Sequence, residues 1–408
     1  MSTSTPIPRT PTEVLRPPEP PGALTWLRNN LFSNWFNSLL TLLSLAVIAW
    51  AGFGITRWVF ITADWRPVTS SPLLYLVGQY PRAELWRLGV SLALSSLLLG
   101  ASWRLWGGML RTFAFTYGFF LLVGVFWPSS MESLTLEMRA FFLANLAILY
   151  VGFLVAGWSR VTGRIITIAW LAVLGLTLVL LNGIQGVGLL PVIPTGMWGG
   201  LLVTMLLAVG GIVISFPIGV FLALGRRSSL PVVSLFSTIF IEVVRGVPLV
   251  GILFMSSIIL PLFLPPEIRI DRLLRALIGM TLFSAAYMAE NVRGGLAAVS
   301  GGQEEAAKAL GLNNFQTTTL IVLPQALRAV IPPIVGQFIS LFKDTTLASA
   351  VAVLELLSVG RSILQANPEY ISLQAEVYVF IAAVFWIFSY LMSYASQRLE
   401  AALGVGER

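Results

Sequence analysis

Runs of about twenty apolar residues, long enough to cross a bilayer and repeated along most of the chain, constrain this fold more than any other feature. The first begins near Trp35 and reaches Phe60; others lie near 87–103, 110–127, 140–158, 165–182, 198–225, 247–264, 274–290, 330–353 and 374–397. Lipid offers no hydrogen-bond partner to a backbone N–H or C=O, and a helix satisfies those groups within its own segment. The expected fold is therefore all-α, a polytopic membrane protein with about ten transmembrane helices. Composition agrees, because 57% hydrophobic residues, 11% charged residues and a mean hydropathy of +0.86 exceed what a soluble domain carries. Thirteen Trp, nine Tyr and 25 Phe suit interfacial anchoring and packing between helices.

The residues that are missing exclude several chemistries. With no Cys and no His, thiol catalysis, disulfides, histidine general bases and the usual zinc sets are all removed, and no metal site is expected. Both lysines are poorly placed for a phosphate loop: Lys308 follows Ala307 and Lys343 follows Phe342, so no Gly-Lys step exists to cradle a nucleotide. If ATP drives this protein, another subunit hydrolyses it. The net charge of +7 is no nucleic-acid footprint, since the arginines are dispersed among loops.

Residues 1–34 are rich in proline and lack apolar periodicity, which predicts a disordered, solvent-facing tail; the first apolar run starts too late for a cleaved leader. With a cytoplasmic N-terminus, ten spans return the C-terminal tail, 401–408, to the cytoplasm. Arg226, Arg227, Arg293, Lys308 and Arg328 then fall inside, as the distribution of basic loop residues favours.

Between two of the apolar runs, residues 291–328 form a polar island. Ser300 followed by Gln303 has the spacing of a capping box, Glu304 and Glu305 sit in a first turn, and Gly311 ends the segment. A helix of about ten residues is unstable alone in water and needs a surface to dock on. Ala306, Ala307 and Leu310 would supply the docking face, with Glu304 and Lys308 pairing on the wet side. Asn313-Asn314 restarts the chain as a second helix, which Leu323-Pro324 punctuates.

The order Glu305-Ala306-Ala307, three residues, Gly311, nine residues, then Ile321-Val322-Leu323-Pro324 resembles the EAA signature of bacterial ABC importer permeases. Residues 240–249 (FIEVVRGVPL), 286–295 (AYMAENVRGG) and 341–347 (LFKDTTL) narrow the resemblance to the polar amino acid branch, over roughly 198–397. The long N-terminal half further resembles one membrane subunit of the general L-amino acid importers. The resemblance implies a type I ABC importer permease core over 191–400, with accessory transmembrane helices over 35–190. It implies coupling of Glu305, Ala306, Ala307, Leu310 and Gly311 to a partner ATPase. No cofactor is expected in this chain; ATP and Mg would sit on an ABC ATPase dimer. A second, distinct permease subunit and a periplasmic amino-acid-binding protein complete the implied assembly in the bacterial inner membrane.

Charged residues within apolar runs are candidates for the substrate pathway. Lys343 and Asp344 interrupt the run 331–353 near its middle, where each charge costs roughly 2.5–3.5 kcal/mol without a partner or water. Adjacent helix positions do not face each other, so different partners or a local unwinding, with Asp344 capping a segment from Thr345, would relieve them. A Lys and an Asp lining a midplane cavity suit a zwitterionic amino acid; a structural pair between helices is the competing reading. Glu242 shares a helical face with Ser234, Thr238 and Arg245, and either belongs to the pathway or pairs with Arg245 one turn on. Glu290 with Arg293 reads as a clamp at the base of the island or as a gate, and Glu355, Glu369 and Glu376, near the outer side, are either solvated or meet a soluble binding protein. Gly107-Gly108, Gly199-Gly200 and Gly210-Gly211 read as close helix crossings.

Two other classes compete. An ion-gradient-driven secondary transporter would use Glu290, Lys343 and Asp344 but leaves the island unexplained. An intramembrane hydrolase lacks both a histidine and two aspartates at matching depths.

Overall fold

The computed structural model describes residues 22–126, 136–158, 162–265 and 267–402. Among them the regular elements are helices, with two isolated β-bridges. The chain divides into two compact units, one ending at Ala63 and one beginning at Asp64. Residues 1–21 of the expected tail and 403–408 of the C-terminal tail lie outside the described residues.

In the first unit, α1 (Ala23–Asn30) is helical where a disordered tail was expected. It precedes α2 (Trp35–Arg57), capped by the Asn34 side chain, which accepts from the Asn37 amide at 2.8 Å. A π-helical turn extends α2, so that Trp35–Thr62 forms one apolar helix of 28 residues.

The second unit opens with two short helices, α3 (Arg66–Thr69) and α4 (Pro72–Val77). Four longer ones follow: α5 (Leu85–Trp106), α6 (Gly108–Phe126), α7 (Leu136–Trp158) and α8 (Gly163–Asn182). In lipid, apolar surface does not drive helices together, so small residues and buried polar contacts must. Here α5 and α7 cross so closely that a Cβ at Gly100 would lie 1.9 Å from the Leu149 carbonyl oxygen, and one at Gly152 2.1 Å from that of Leu97. The buried Ser96 hydroxyl ties three helices, bonding Tyr117 Oη at 2.7 Å and donating to Asn145 Oδ1 at 2.9 Å. Fully buried Arg87 donates to the carbonyls of Leu180 and Pro191 at 3.2 and 3.0 Å, joining α5 to the segment that leads into the following helices. Gly107 and Gly108 are not a crossing: both have positive φ and open space around them, and they form the turn between α5 and α6.

The remaining chain is centred on α9 (Gly200–Arg226) and α12 (Arg272–Ala298). Half of the most apolar part of α12 is buried, and small residues (Ala276, Gly279, Ser284, Ala285, Ala286, Ala289 and Gly295) alternate there with the larger Met280, Met288, Val292 and Leu296. Around this pair lie α10 (Pro231–Gly246), α11 (Leu249–Phe254), α13 (Gly301–Ala309), α14 (Asn314–Gln316), α15 (Leu323–Ala329), α16 (Ile331–Asp344), α17 (Leu356–Ala366) and α18 (Gln374–Ala402). Gly210 and Gly211 do sit at helix contacts, against Leu277 and Leu341, and Gly199-Gly200 presses on the backbone of α4 and its C-terminal end.

Seven described helices are long and apolar enough to span a membrane; two bent pairs and the shorter Leu110–Phe126 account for the other expected runs. The bends have sequence causes. Pro248 lacks an N–H and holds Val247 extended, and the chain turns by 108° between Pro231–Gly246 and Leu249–Phe263. The second bend, 62°, falls at Val330 before Pro332 and Pro333, not at Leu323-Pro324 as expected. Pro324 is absorbed instead by a π-helical segment, Thr317–Val322, immediately ahead of it.

Candidate functional site

The island folds as a nine-residue helix, α13, followed by a return through α14, the π-helical segment and α15. Its C-terminus is a Schellman motif. The Leu312 amide donates to the Ala307 carbonyl at 3.1 Å, the Gly311 amide donates to that of Lys308 at 2.9 Å, and Gly311 has φ +80°. At the N-terminus the expected capping box does not form: the Ser300 side chain makes no capping bond, the Gln303 backbone amide donates to the Ser300 carbonyl at 3.0 Å, and the Gln303 side chain accepts from the Gln325 amide at 3.3 Å. The capping box of this loop is at Asn313 and Gln316, with reciprocal bonds of 2.9 and 3.0 Å.

Of the expected docking residues, Ala307 is buried at 3% exposure, seating α13 on the π-helical segment. Glu305 and Ala306 are exposed, and Leu310 is 82% exposed. An apolar side chain so open on a capped helix is free to enter a partner's groove. Glu304 does not pair with Lys308; it meets Arg227 at 3.2 Å, the residue that closes α9.

Beside α13 lies a charged cluster that the sequence reading only partly assembled. Arg226 reaches Glu242 at 2.9 Å and Glu290 at 3.4 Å; Arg293 Nε donates to Glu290 at 2.8 Å. Arg245 approaches Glu290 at 3.7 Å with its guanidinium 5.3 Å from the Tyr287 ring centre. Glu242 and Arg245 therefore do not pair with each other: they diverge to different helices. Glu290 with Arg293 is a clamp, as expected, with two further arginines on it. Arg226 escaped the sequence reading except as a loop charge; the signal was its place as a basic residue in the last turn of an apolar helix.

The other candidates lie deeper. α16 ends at Asp344, and Thr345–Val351 continues as a 3-10 helix that closes on Ala352 in the left-handed region at φ +57°. The expected unwinding is present, although the Asp344 side chain does not cap it. Thr345 is fully buried and donates to the Phe342 carbonyl at 2.7 Å, which holds the break; Lys343 is exposed and Asp344 half-buried. Neither charge is ion-paired among the described residues. Glu242 stands apart from them: Leu341 packs at Gly211, about 22 Å along α9 from Arg226 at a helical rise of about 1.5 Å per residue.

Far from the island, the expectation of solvated carboxylates fails twice. Glu355 is fully buried and caps α17, accepting from the Leu357 and Ser358 amides at 2.7 Å each. Burial raises its carboxyl to about 7 in spite of those bonds. Glu376 is buried against the Asp64 amide; Glu369 alone is exposed, 3.7 Å from Arg66.

Residues 215–404 match the family described as binding-protein-dependent transport system inner membrane component. The inner membrane amino-acid ABC transporter permease protein YhdY of Escherichia coli K12 is 35% identical over 94% of this chain and 94% of its own length. The glutamate/glutamine/aspartate/asparagine transport system permease protein BztC of Rhodobacter capsulatus is 33% identical over 96% of this chain and 97% of its own. This chain belongs to the ABC transporter permease family. A permease of this family is an inner-membrane transport component, with ATP hydrolysed on a separate subunit, and an ion-gradient-driven transporter finds no support.

The permease also comes in a shorter form. The probable glutamine ABC transporter permease protein GlnP of Bacillus subtilis is 36% identical over 92% of its own length but only 50% of this chain. YhdY and BztC share nearly the whole chain. This chain and these two relatives thus share a length that the shorter permease matches only in part.

Proposed function

We propose that this permease is the transmembrane subunit of an ATP-driven importer for polar L-amino acids. It works with an ABC ATPase dimer that holds ATP and Mg, with a second, distinct permease subunit, and with a periplasmic amino-acid-binding protein. Glu305, Ala306, Ala307, Leu310 and Gly311 form the ATPase-coupling element, on the cytoplasmic side together with both termini. The substrate class rests on the named relatives, which are named as permeases for amino acids and, for one, for glutamate, glutamine, aspartate and asparagine.

The observation that carries the coupling reading is the build of α13: nine residues, stopped at both ends, anchored through Ala307 and presenting Leu310 at 82% exposure. Too short to persist alone in water, such a helix is held in shape by the surface it docks on, which suits it to act as a handle for a partner. Lys343 and Asp344, with Thr345 fixing the break between them and the 3-10 helix, supply the middle of the substrate pathway, and Glu242 its cytoplasmic end. A mostly apolar groove of about 670 Å³ lies between α9 and α15–α16, lined by Ile212, Phe216, Leu327, Arg328 and Phe338. In this reading the substrate passes at the interface with the second permease.

Gly311→Asp tests the assignment. The side chain meets open space, so the damage is confined to a left-handed backbone position, about 1 kcal/mol, and to a negative charge at a helix C-terminus. Co-purified ATPase and substrate-stimulated ATP turnover should both fall severalfold. Undiminished assembly and turnover would contradict the coupling role.

A further inference from the structure

We infer that the consecutive arginines closing α9 are positioning residues that pass movement of α13 into the membrane helices. Resting on the coupling reading above, this assigns Arg226 and Arg227 a function that ATPase docking alone does not require.

Neighbouring residues on a helix project about 100° apart, so an Arg-Arg step at a helix end serves two directions at once. Arg227 points to the island: its Nη2 lies 3.2 Å from Glu304 in the first turn of α13, and its Nη1 donates to the Leu296 carbonyl near the end of α12 at 3.5 Å. Arg226 points into the bundle, to Glu242 on α10 and Glu290 on α12. The backbone between the two residues is the last turn of α9, stiffened by the Ser234 hydroxyl donating to the Arg226 carbonyl at 3.0 Å. Glu304, Arg227, Arg226 and Glu242 or Glu290 thus form one continuous path from the handle to α9, α10 and α12.

The few holds on α13 give this path its weight. Among the described residues, the holds that fix α13 to the rest of the chain include the Ala307 seat, the contact of Gln303 with Gln325, and the pair of Glu304 with Arg227. The first two lead to the return segment of the island itself, Thr317–Val322 and Leu323–Ala329. Arg227 alone of these three ties α13 to α9. Both partners are near half-exposed, at 46% and 39%, and an ion pair so wetted adds little to fold stability. Its loss should leave an assembled protein whose two ends move less faithfully together.

The experiment uses the complete transporter in liposomes and reads substrate imported per ATP hydrolysed, for wild type, Arg227→Glu, Glu304→Arg and the double exchange. Each single variant should lower that ratio by about two- to fivefold, the range one exposed contact can weigh, and the double exchange should restore it to near the wild-type value. Arg227→Gln, which keeps the stem and removes the charge, covers the case in which the reversed charge prevents folding; it too should lower the ratio. An unchanged ratio in Arg227→Gln, or a double exchange no better than the single variants, would overturn the inference. A wild-type chain that co-purifies no ATPase would instead overturn the coupling reading on which it rests.

Discussion

Glu355 shows how one side chain converts a fold into a pH dependence. Its carboxyl is fully buried at the start of α17, next to the point where the Leu356 amide donates to Thr204 on α9 at 3.1 Å. Burial raises the group from 4.5 to about 7, outweighing three hydrogen bonds and the nearby charge of Arg361. A raised carboxylic acid binds its proton more tightly in the folded protein than in the unfolded chain. Its contribution is therefore complete below about 4.5, is lost as pH climbs through about 7, and is constant above that. Melting temperatures of the purified permease should fall across that window, and Glu355→Gln should flatten the decline. A wild-type profile rising with pH across the window would contradict this. Sequence alone set Glu355 among solvated carboxylates, because nothing in LEL at 354–356 distinguishes an exposed acid from a buried helix cap. Gly311 was legible for the opposite reason: a left-handed C-terminus after a short capped segment is written in local residue types.

Among the elements, those whose shape follows from local chemistry matched expectation, and those shaped by neighbours did not. The 108° turn after Gly246 follows from Pro248, but the second bend moved from Leu323-Pro324 to Val330 because a π-helical segment relieves the missing N–H of Pro324. Likewise periodicity points Glu304 to Lys308 and leaves Glu242 between Arg245 and the pathway, whereas both glutamates are taken by the arginines ending α9. Distances in three dimensions decide such choices, and a periodicity argument sees only one helix at a time. The crossing of α5 and α7 carries the clearest prediction at this scale. Gly152→Ala would place a methyl 2.1 Å from the Leu97 carbonyl oxygen, forcing two backbones apart. Overpacking of this kind costs about 1–3 kcal/mol, so the variant should melt several degrees lower and expose α5–α8 to protease. Unchanged melting and protection would mean that the bundle is looser than the crossing indicates.

At the scale of the whole molecule, the permease is a set of helices that burns no fuel, and the proposed coupling role makes the short helix α13 the handle through which work done elsewhere would reach them. The handle, α13, is held by Ala307 and by Arg227 at the end of α9, and it leaves Leu310 open for a partner. Because the chain contains no Cys, a Leu310→Cys substitution gives one thiol in 408 residues at the point of expected contact. Crosslinking from that thiol in membranes containing the full transporter is the most direct measurement. The account predicts an adduct with the ATPase subunit, formed from the cytoplasmic side and altered by ATP. A thiol labelled only from the periplasmic side, or one that yields no adduct with a nucleotide-binding subunit, would contradict it.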